Sequence, residues 1–289
     1  MAQFLNVFIA GLILGGIYAL IAMGLSLQYG VARILNIAHG EFIMLGALLT
    51  FTLYTVSGIN PLLCIFIAGP LTLIIGFVLH RTLFHYLKSK SVSPEVFESN
   101  AMLATFGLMF IIQNIALVIW TSTIHGYSYL NQPVNIFGSL FGANRLIVLG
   151  FSVGIGVIFY LFLTRTRMGK AIRAAAQDPE VSGVMGVNIN RVLALCFGLG
   201  AMLAGIAGVL VSLYLPSVNA TMGLEYTVIA IIVVVLGGLG SIPGSFIGGF
   251  LLGIIGSLVT FFQPGLAIVA YYVIFMVLLI VRPKGILGK

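Results

Sequence analysis

Apolar residues run almost unbroken along most of this chain. No Asp, Glu, Lys, Arg or His occurs from Met1 to Ala32, Phe42 to Leu79, Asn100 to Ile124, Leu146 to Leu163, Val192 to Leu215 or Tyr226 to Val281. Gly and Pro punctuation divides the longer runs, at Ser57 to Pro61, at Gly237 to Gly244 and at Gln263 to Gly265. Segments near 4–27, 42–57, 61–80, 100–120, 146–163, 192–214, 226–240, 244–262 and 266–281 result. The alternation of barrel strands is missing, and in hydrocarbon only a helix satisfies its own backbone, so these segments predict helices. The expected fold is an all-α polytopic membrane protein, a bundle of about eight to ten transmembrane helices with broken or half helices.

Composition closes the alternatives. Of 289 residues, 61% are hydrophobic and 7% charged, and the mean hydropathy is +1.21, too few polar groups to cover a soluble globule and too many apolar ones for disorder. Residues 1–289 read as a single transmembrane domain. The first residues lack the positive stretch of a signal peptide, so they read as an uncleaved membrane segment. Cys64 and Cys196 lie within apolar runs and read as packing residues, without metal-ligand spacing.

The net charge of +7 does not point to nucleic acid, because the positive residues sit in short connections between apolar runs. Arg81, Lys88 and Lys90, then Arg165, Arg167, Lys170, Arg173 and Arg191, then Arg282, Lys284 and Lys289 fall on alternate connections, which makes that side and the C-terminus cytoplasmic. Arg145 is the exception on the other side, where Trp120, Tyr127, Tyr129, Tyr214 and Tyr226 form an aromatic belt. Residues 28–41 read either as a loop or as a half-helix, which leaves the side of the N-terminus open.

Small residues four apart (Gly11 and Gly15, Gly150 and Gly154, Ala204 and Gly208, Gly244 and Gly248, Gly249 and Gly253) offer flat faces for close helix packing. GEFIMLGALL from Gly40 and GSFIGGFLLG from Gly244 share a Gly-x-Phe-Ile start after a break, as a duplicated half would. Gly40, Gly237, Gly238, Gly240, Pro243 and Gly244 are the expected helix breaks.

Polar groups in the apolar zone are candidates for a substrate path: Asn36, His39 and Glu41, Gln113 and Asn114, and Glu225. Gln113 and Asn114 have an alternative role in interhelical hydrogen bonds, and Glu41 and Glu225 as first-turn carboxylates. Catalysis finds no support: no Walker loop is present, and His39 with Glu41 lacks further partners at ligand spacing, so neither cofactor nor metal is expected.

The segment 164–191 holds RMGKAIRAAAQDPEVSGVMGVN. Met168, Ala171, Ile172 and Ala175 recur at helical spacing, Asp178–Pro179–Glu180 is a helix restart signal, and Gly183 and Gly186 limit the second piece. The expectation is two short helices forming a knob for a partner's groove, the alternative being a solvated loop on lipid headgroups. Lys170, Arg173, Ala174, Ala175, Ala176, Asp178, Pro179, Glu180, Gly183 and Gly186 are its candidate contacts.

Four motifs in order, ILNIAHGEFIMLGA at 34–47, the stretch just quoted, VLGGLGSIPGSFIGG at 235–249 and RPKGILG at 282–288, resemble the permease subunits of bacterial branched-chain amino-acid ABC importers. The resemblance covers nearly the whole chain. It implies an inner-membrane subunit that forms the path for leucine, isoleucine or valine, pairs with a second permease, and draws its energy from two cytoplasmic ATPases that use ATP. A periplasmic binding protein would deliver the cargo. Related permeases carry urea or short amides; a stand-alone secondary transporter or channel is the rival class, and would need a coupling-ion site or filter.

Overall fold

A computed structural model describes residues 2–136, 139–282 and 284–288. Helix α1 (Ala2–Ala32) leads through a non-helical stretch into α2 (His39–Ser57). Next, α3 (Ile65–Leu79) continues through a π-helical turn at His80–Phe84 into α4 (His85–Lys90), followed by α5 (Pro94–Trp120). A hairpin of β1 (Pro133–Ile136) and β2 (Ser139–Gly142), paired antiparallel with Val134 opposite Phe141, precedes α6 (Ala143–Arg165). The remainder is α7 (Arg167–Gln177), α8 (Pro179–Val184), α9 (Ile189–Tyr214), α10 (Gly223–Gly237), α11 (Ile242–Phe262) and α12 (Ala267–Val281). Among the described residues, eight helical segments are long and apolar enough to cross a membrane, and α10 is a shorter apolar helix. The chain is an all-α polytopic membrane protein.

α1 and α9 form the centre of the bundle and α12 its outside: Tyr271 is the buried residue of α12, against a nearly continuous buried run on α9. α1 packs antiparallel on α11 through glycine. A Cβ on Gly11 would stand 2.7 Å from the Ile254 Cα, and one on Gly15 2.7 Å from the Phe250 Cα, closer than atoms approach, so both positions require glycine. Gly249 and Gly253 return the fit against Ala19 and Gly15. The pair Gly150 and Gly154 departs from expectation: a Cβ added at either would meet no other helix within 4 Å among the described residues, because that face of α6 looks outward.

The basic connections gather at one end of the bundle. Gly30 abuts Gly240 there, Phe84 of the π-turn stacks 4.8 Å from Phe197 near the start of α9, and Leu287 of the tail shares a cavity with Arg173. The other end carries Trp120, Tyr127, Tyr129 and Tyr214. α1 runs from this aromatic end to the basic end, so the N-terminus stands at the aromatic end.

α1 extends five residues beyond the expected 4–27 segment: the Gln28 amide donates to the Phe197 carbonyl at 2.9 Å, and tertiary packing overrides the low helix propensity of Gly30, which abuts Gly240. Arg33 then ends it in a left-handed conformation, φ 55°, which costs a residue with a Cβ roughly 1–2 kcal/mol. The break therefore lies at 33–38, and Gly40 is the second residue of α2 rather than a break. Likewise Gly238 (φ 104°) and Gly240 (φ 79°) break the chain, whereas Gly237 closes α10. Pro243 and Gly244 form the first turn of α11, whose N-cap Ser241 accepts from the Gly244 amide at 3.2 Å. The C-terminal motif clamps this break, with Ile286 and Leu287 amides donating to the Leu236 and Gly237 carbonyls at 2.9 and 3.1 Å. Pro283 of that motif, and Lys289 after it, lie outside the described residues.

Candidate functional site

Two crossings of the bundle are interrupted by non-helical chain, and the helices that follow, α2 and the shorter α10, begin against each other. His39, the first residue of α2, donates from Nε2 to the Ile21 carbonyl at 3.0 Å. Ile21 is nine residues before Gly30, so α2 starts about 14 Å in from the basic end. Residues 33–38 climb that distance as non-helical chain, after the Arg33 amide makes the last bond of α1, to the Tyr29 carbonyl at 3.0 Å. In the second crossing α9 ends at Tyr214 on the aromatic side, 215–222 descend, and α10 runs about 22 Å to the basic end. The starts of α2 and α10 meet inside the membrane layer, where irregular backbone requires side-chain partners.

Two threonines supply them. Thr227 of α10 accepts from the Gly40 amide at 2.8 Å and donates to the Ile37 carbonyl at 3.0 Å, sharing that proton with its own Gly223 carbonyl at 3.3 Å. Thr105 of α5 accepts from the Ile37 amide at 3.1 Å, its proton shared between the carbonyls of Met102 and Leu35. Asn36 donates to Gln28 at 3.2 Å, and Gln28 passes the link to α9. Gly40 fits because its α-carbon faces the Gly223 carbonyl and the Thr227 hydroxyl, with no room for a Cβ.

Asn36, His39 and Glu41 are fully buried at this junction. Glu41 reaches across to Gly223, and both its carboxyl oxygens, with Asn36 Oδ1 and His39 Nδ1, have no hydrogen-bond partner among the described residues. A buried carboxyl group of this kind in a membrane segment is costly to keep. The structure thus joins three of the six path candidates. Glu225 sits in the first turn of α10 but is exposed, and Gln113 and Asn114 lie elsewhere on α5. Asn114 donates to the Phe110 carbonyl of its own helix at 2.8 Å, so it makes no interhelical bond of the kind considered. Sequence reading passed over Gln28, Thr105, Thr227 and Gly223. A threonine can bond its own helix and carries no charge, so only the fold reveals that two of them hold a broken segment.

The second feature is the elbow at the basic end. Thr166 caps α7 by accepting from the Gly169 amide at 3.0 Å, and Asp178 Oδ1 caps α8, accepting from the amides of Glu180 and Val181 at 2.9 and 3.0 Å. Gly169, Ile172 and Ala175 are the buried stripe of α7; Met168, assigned to that stripe, is exposed, and Ala175 faces the bundle rather than outward. Lys170, Arg173, Asp178, Pro179, Glu180, Gly183 and Gly186 are exposed, with Ala174 and Ala176 half-buried. Val181, Val184 and Met185 form an apolar tip, 60–88% exposed, which water disfavours.

At the aromatic end lies a pocket of about 570 Å³, walled by Tyr127, Tyr129, Asn144, Arg145, Ser212 and Tyr214. Tyr127 and Ser212 hydroxyls are 2.9 Å apart, and burial pushes the Tyr127 hydroxyl up to about 12, so it stays a neutral hydrogen-bonding group. The Arg145 guanidinium stands 5.7 Å from the Tyr214 ring centre. Of the residues expected in an aromatic belt, Tyr127, Tyr129 and Tyr214 line this concave vestibule beside Arg145, whereas Trp120 and Tyr226 do not.

Residues 7–282 match the family model described as branched-chain amino acid transport system / permease component. The chain belongs to this permease family. The permease is 32% identical over 305 residues to the high-affinity branched-chain amino acid transport system permease protein BraD of Pseudomonas aeruginosa, covering 99% of this chain and 96% of that one. It is 30% identical over 301 residues to LivH of Escherichia coli, a protein of the same description, again covering 99% and 96%. The ribose import permease RbsC of Escherichia coli is 29% identical over 163 residues, 53% of this chain and 50% of that one. The permease is thus a multi-pass membrane component of a transport system.

Proposed function

We propose that this permease forms the path for branched-chain amino acids through a bacterial inner membrane, as one transmembrane domain of an ATP-binding-cassette importer. In this reading the basic end and the C-terminus are cytoplasmic, as the distribution of Lys and Arg favours. The permease holds no nucleotide site and works beside a second permease, two cytoplasmic ATPases and a periplasmic binding protein.

The capped elbow of α7 and α8 is the observation that carries the reading. Its apolar tip projects from the basic end, while Ile172 and Ala175 fasten α7 to the bundle. Force on Asp178, Glu180 or Gly183 is therefore transmitted to α1 and α9, on which the broken crossings lean. Asn36, His39 and Glu41 line the moving junction, and separation of α2 from α10 opens the path. Few polar contacts suit a zwitterion with an aliphatic side chain when selection occurs in the delivering protein.

The test is uptake of labelled leucine into proteoliposomes holding the permease with its co-encoded components. Uptake should require ATP on the ATPase side, and single cysteines at Ala176 and Gly183 should cross-link to the ATPase. Ion-driven uptake by the permease alone, or no cross-link between 170 and 186, overturns the reading.

A further inference from the structure

At the basic end a cavity of about 460 Å³ opens between α1, α6 and α11 beneath α7. That volume falls within the range of ligand pockets, roughly 300–1,000 Å³. Arg33 and Arg173 line it together with the side chains of Ser26, Tyr29, Tyr160 and Ser241, and no Asp or Glu is among its lining residues. The start of α11, with its positive dipole end, borders the same space. Ser26 is fully buried in its wall and its hydroxyl has no hydrogen-bond partner among the described residues. Arg33 keeps a side chain at a left-handed position that glycine would occupy without strain, φ 55°.

The cavity does not end at the polar layer. Tyr160 and Pro243 are shared with a second cleft of about 190 Å³, walled by Met23, Gly156, Val157, Phe246 and Ile247. This cleft runs between α6 and α11 into the apolar zone, and Val157 and Ile247 are each 46% exposed along it. Two guanidinium groups at the level of the headgroups, above a greasy slot open to the acyl chains, match one chemistry: a phosphate carrying an aliphatic tail.

We propose that this composite cleft binds one anionic phospholipid, its phosphate between Arg33 and Arg173 and an acyl chain between α6 and α11. Because Arg173 belongs to α7, the lipid ties the elbow to the end of α1. The inference rests on the membrane-spanning fold and stands whether or not the transport reading does.

The experiment is native mass spectrometry of the full chain released from detergent, titrated with phosphatidylglycerol or phosphatidylcholine. One phosphatidylglycerol should bind at least tenfold more tightly than phosphatidylcholine. Arg33→Gln with Arg173→Gln should remove that preference. Val157→Trp, which fills the slot and leaves both arginines, should also weaken phosphatidylglycerol at least tenfold, and Lys88→Gln with Lys90→Gln, elsewhere on the basic end, should not. Equal binding of both lipids, an unchanged preference in the double arginine variant, or equal loss in the Lys88/Lys90 variant overturns the proposal. So does displacement of the bound lipid by millimolar inorganic phosphate, which would mark a plain anion site, or burial of Val157 by a co-purified second permease, detected as a cross-link from Val157→Cys.

Discussion

The carboxyl group of Glu41 lies against the α-carbon of Gly223, so close that a Cβ at 223 would come 2.6 Å from its Cδ. Each residue belongs to the first turn of a helix that begins inside the membrane layer, and the contact fastens one broken crossing to the other. Gly223→Ala should therefore push the two helix starts apart, costing about 1–3 kcal/mol as overpacking does. A lowered thermal midpoint in detergent and a reduced uptake rate are expected, and the shorter side chain of Glu41→Asp should partly restore both. Additive effects of the two substitutions would separate the residues.

Thr227 serves two backbone groups of the break at once. Thr227→Val keeps the shape and leaves the Gly40 amide and Ile37 carbonyl unpaired in an apolar setting, a loss of roughly 1–3 kcal/mol. Thr227→Ser keeps the hydroxyl and should behave nearly as the parent in thermal unfolding. If valine and serine variants unfold alike, the hydroxyl is not what holds the break.

Glu41→Gln tests the charge apart from the shape. The amide fits the same space, so assembly and melting should be retained while uptake falls about tenfold, equivalent to roughly 1.4 kcal/mol. Uptake equal to that of the parent would make Glu41 a packing residue.

At the elbow, Asp178→Ala removes the acceptor of two amides and should cost about 1 kcal/mol of local helix stability. Hydrogen exchange across 178–186 should quicken, and ATP-driven uptake should fall while the rest of the bundle exchanges as before. Asp178→Ser, which also caps, should retain both.

The glycine faces separate cleanly. Gly253 packs on the backbone of Gly15, whereas a Cβ at Gly150 would meet no other helix among the described residues. Gly253→Leu should prevent α1 and α11 from closing and abolish the folded chain on size-exclusion chromatography in detergent. Gly150→Leu should leave the isolated chain intact.

The spans, the restart at Asp178–Pro179 and the basic side were legible along the chain because each depends on local chemistry: hydrocarbon tolerates only uncharged, self-bonded helices, and capping residues act within one turn. The depth at which α2 starts was not, since it follows from where the Ile21 carbonyl waits for His39. Thr105, Thr227 and Gly223 carried no sequence signal for the same reason. Their partners lie on other helices, and glycine spacing marks Gly150 and Gly253 alike although only one has a neighbour. Local propensity and the membrane's dielectric set which residues are helical and which end is basic, whereas the junction of Glu41 with α10 and the vestibule around Arg145 arise when helices distant in sequence exclude lipid between them.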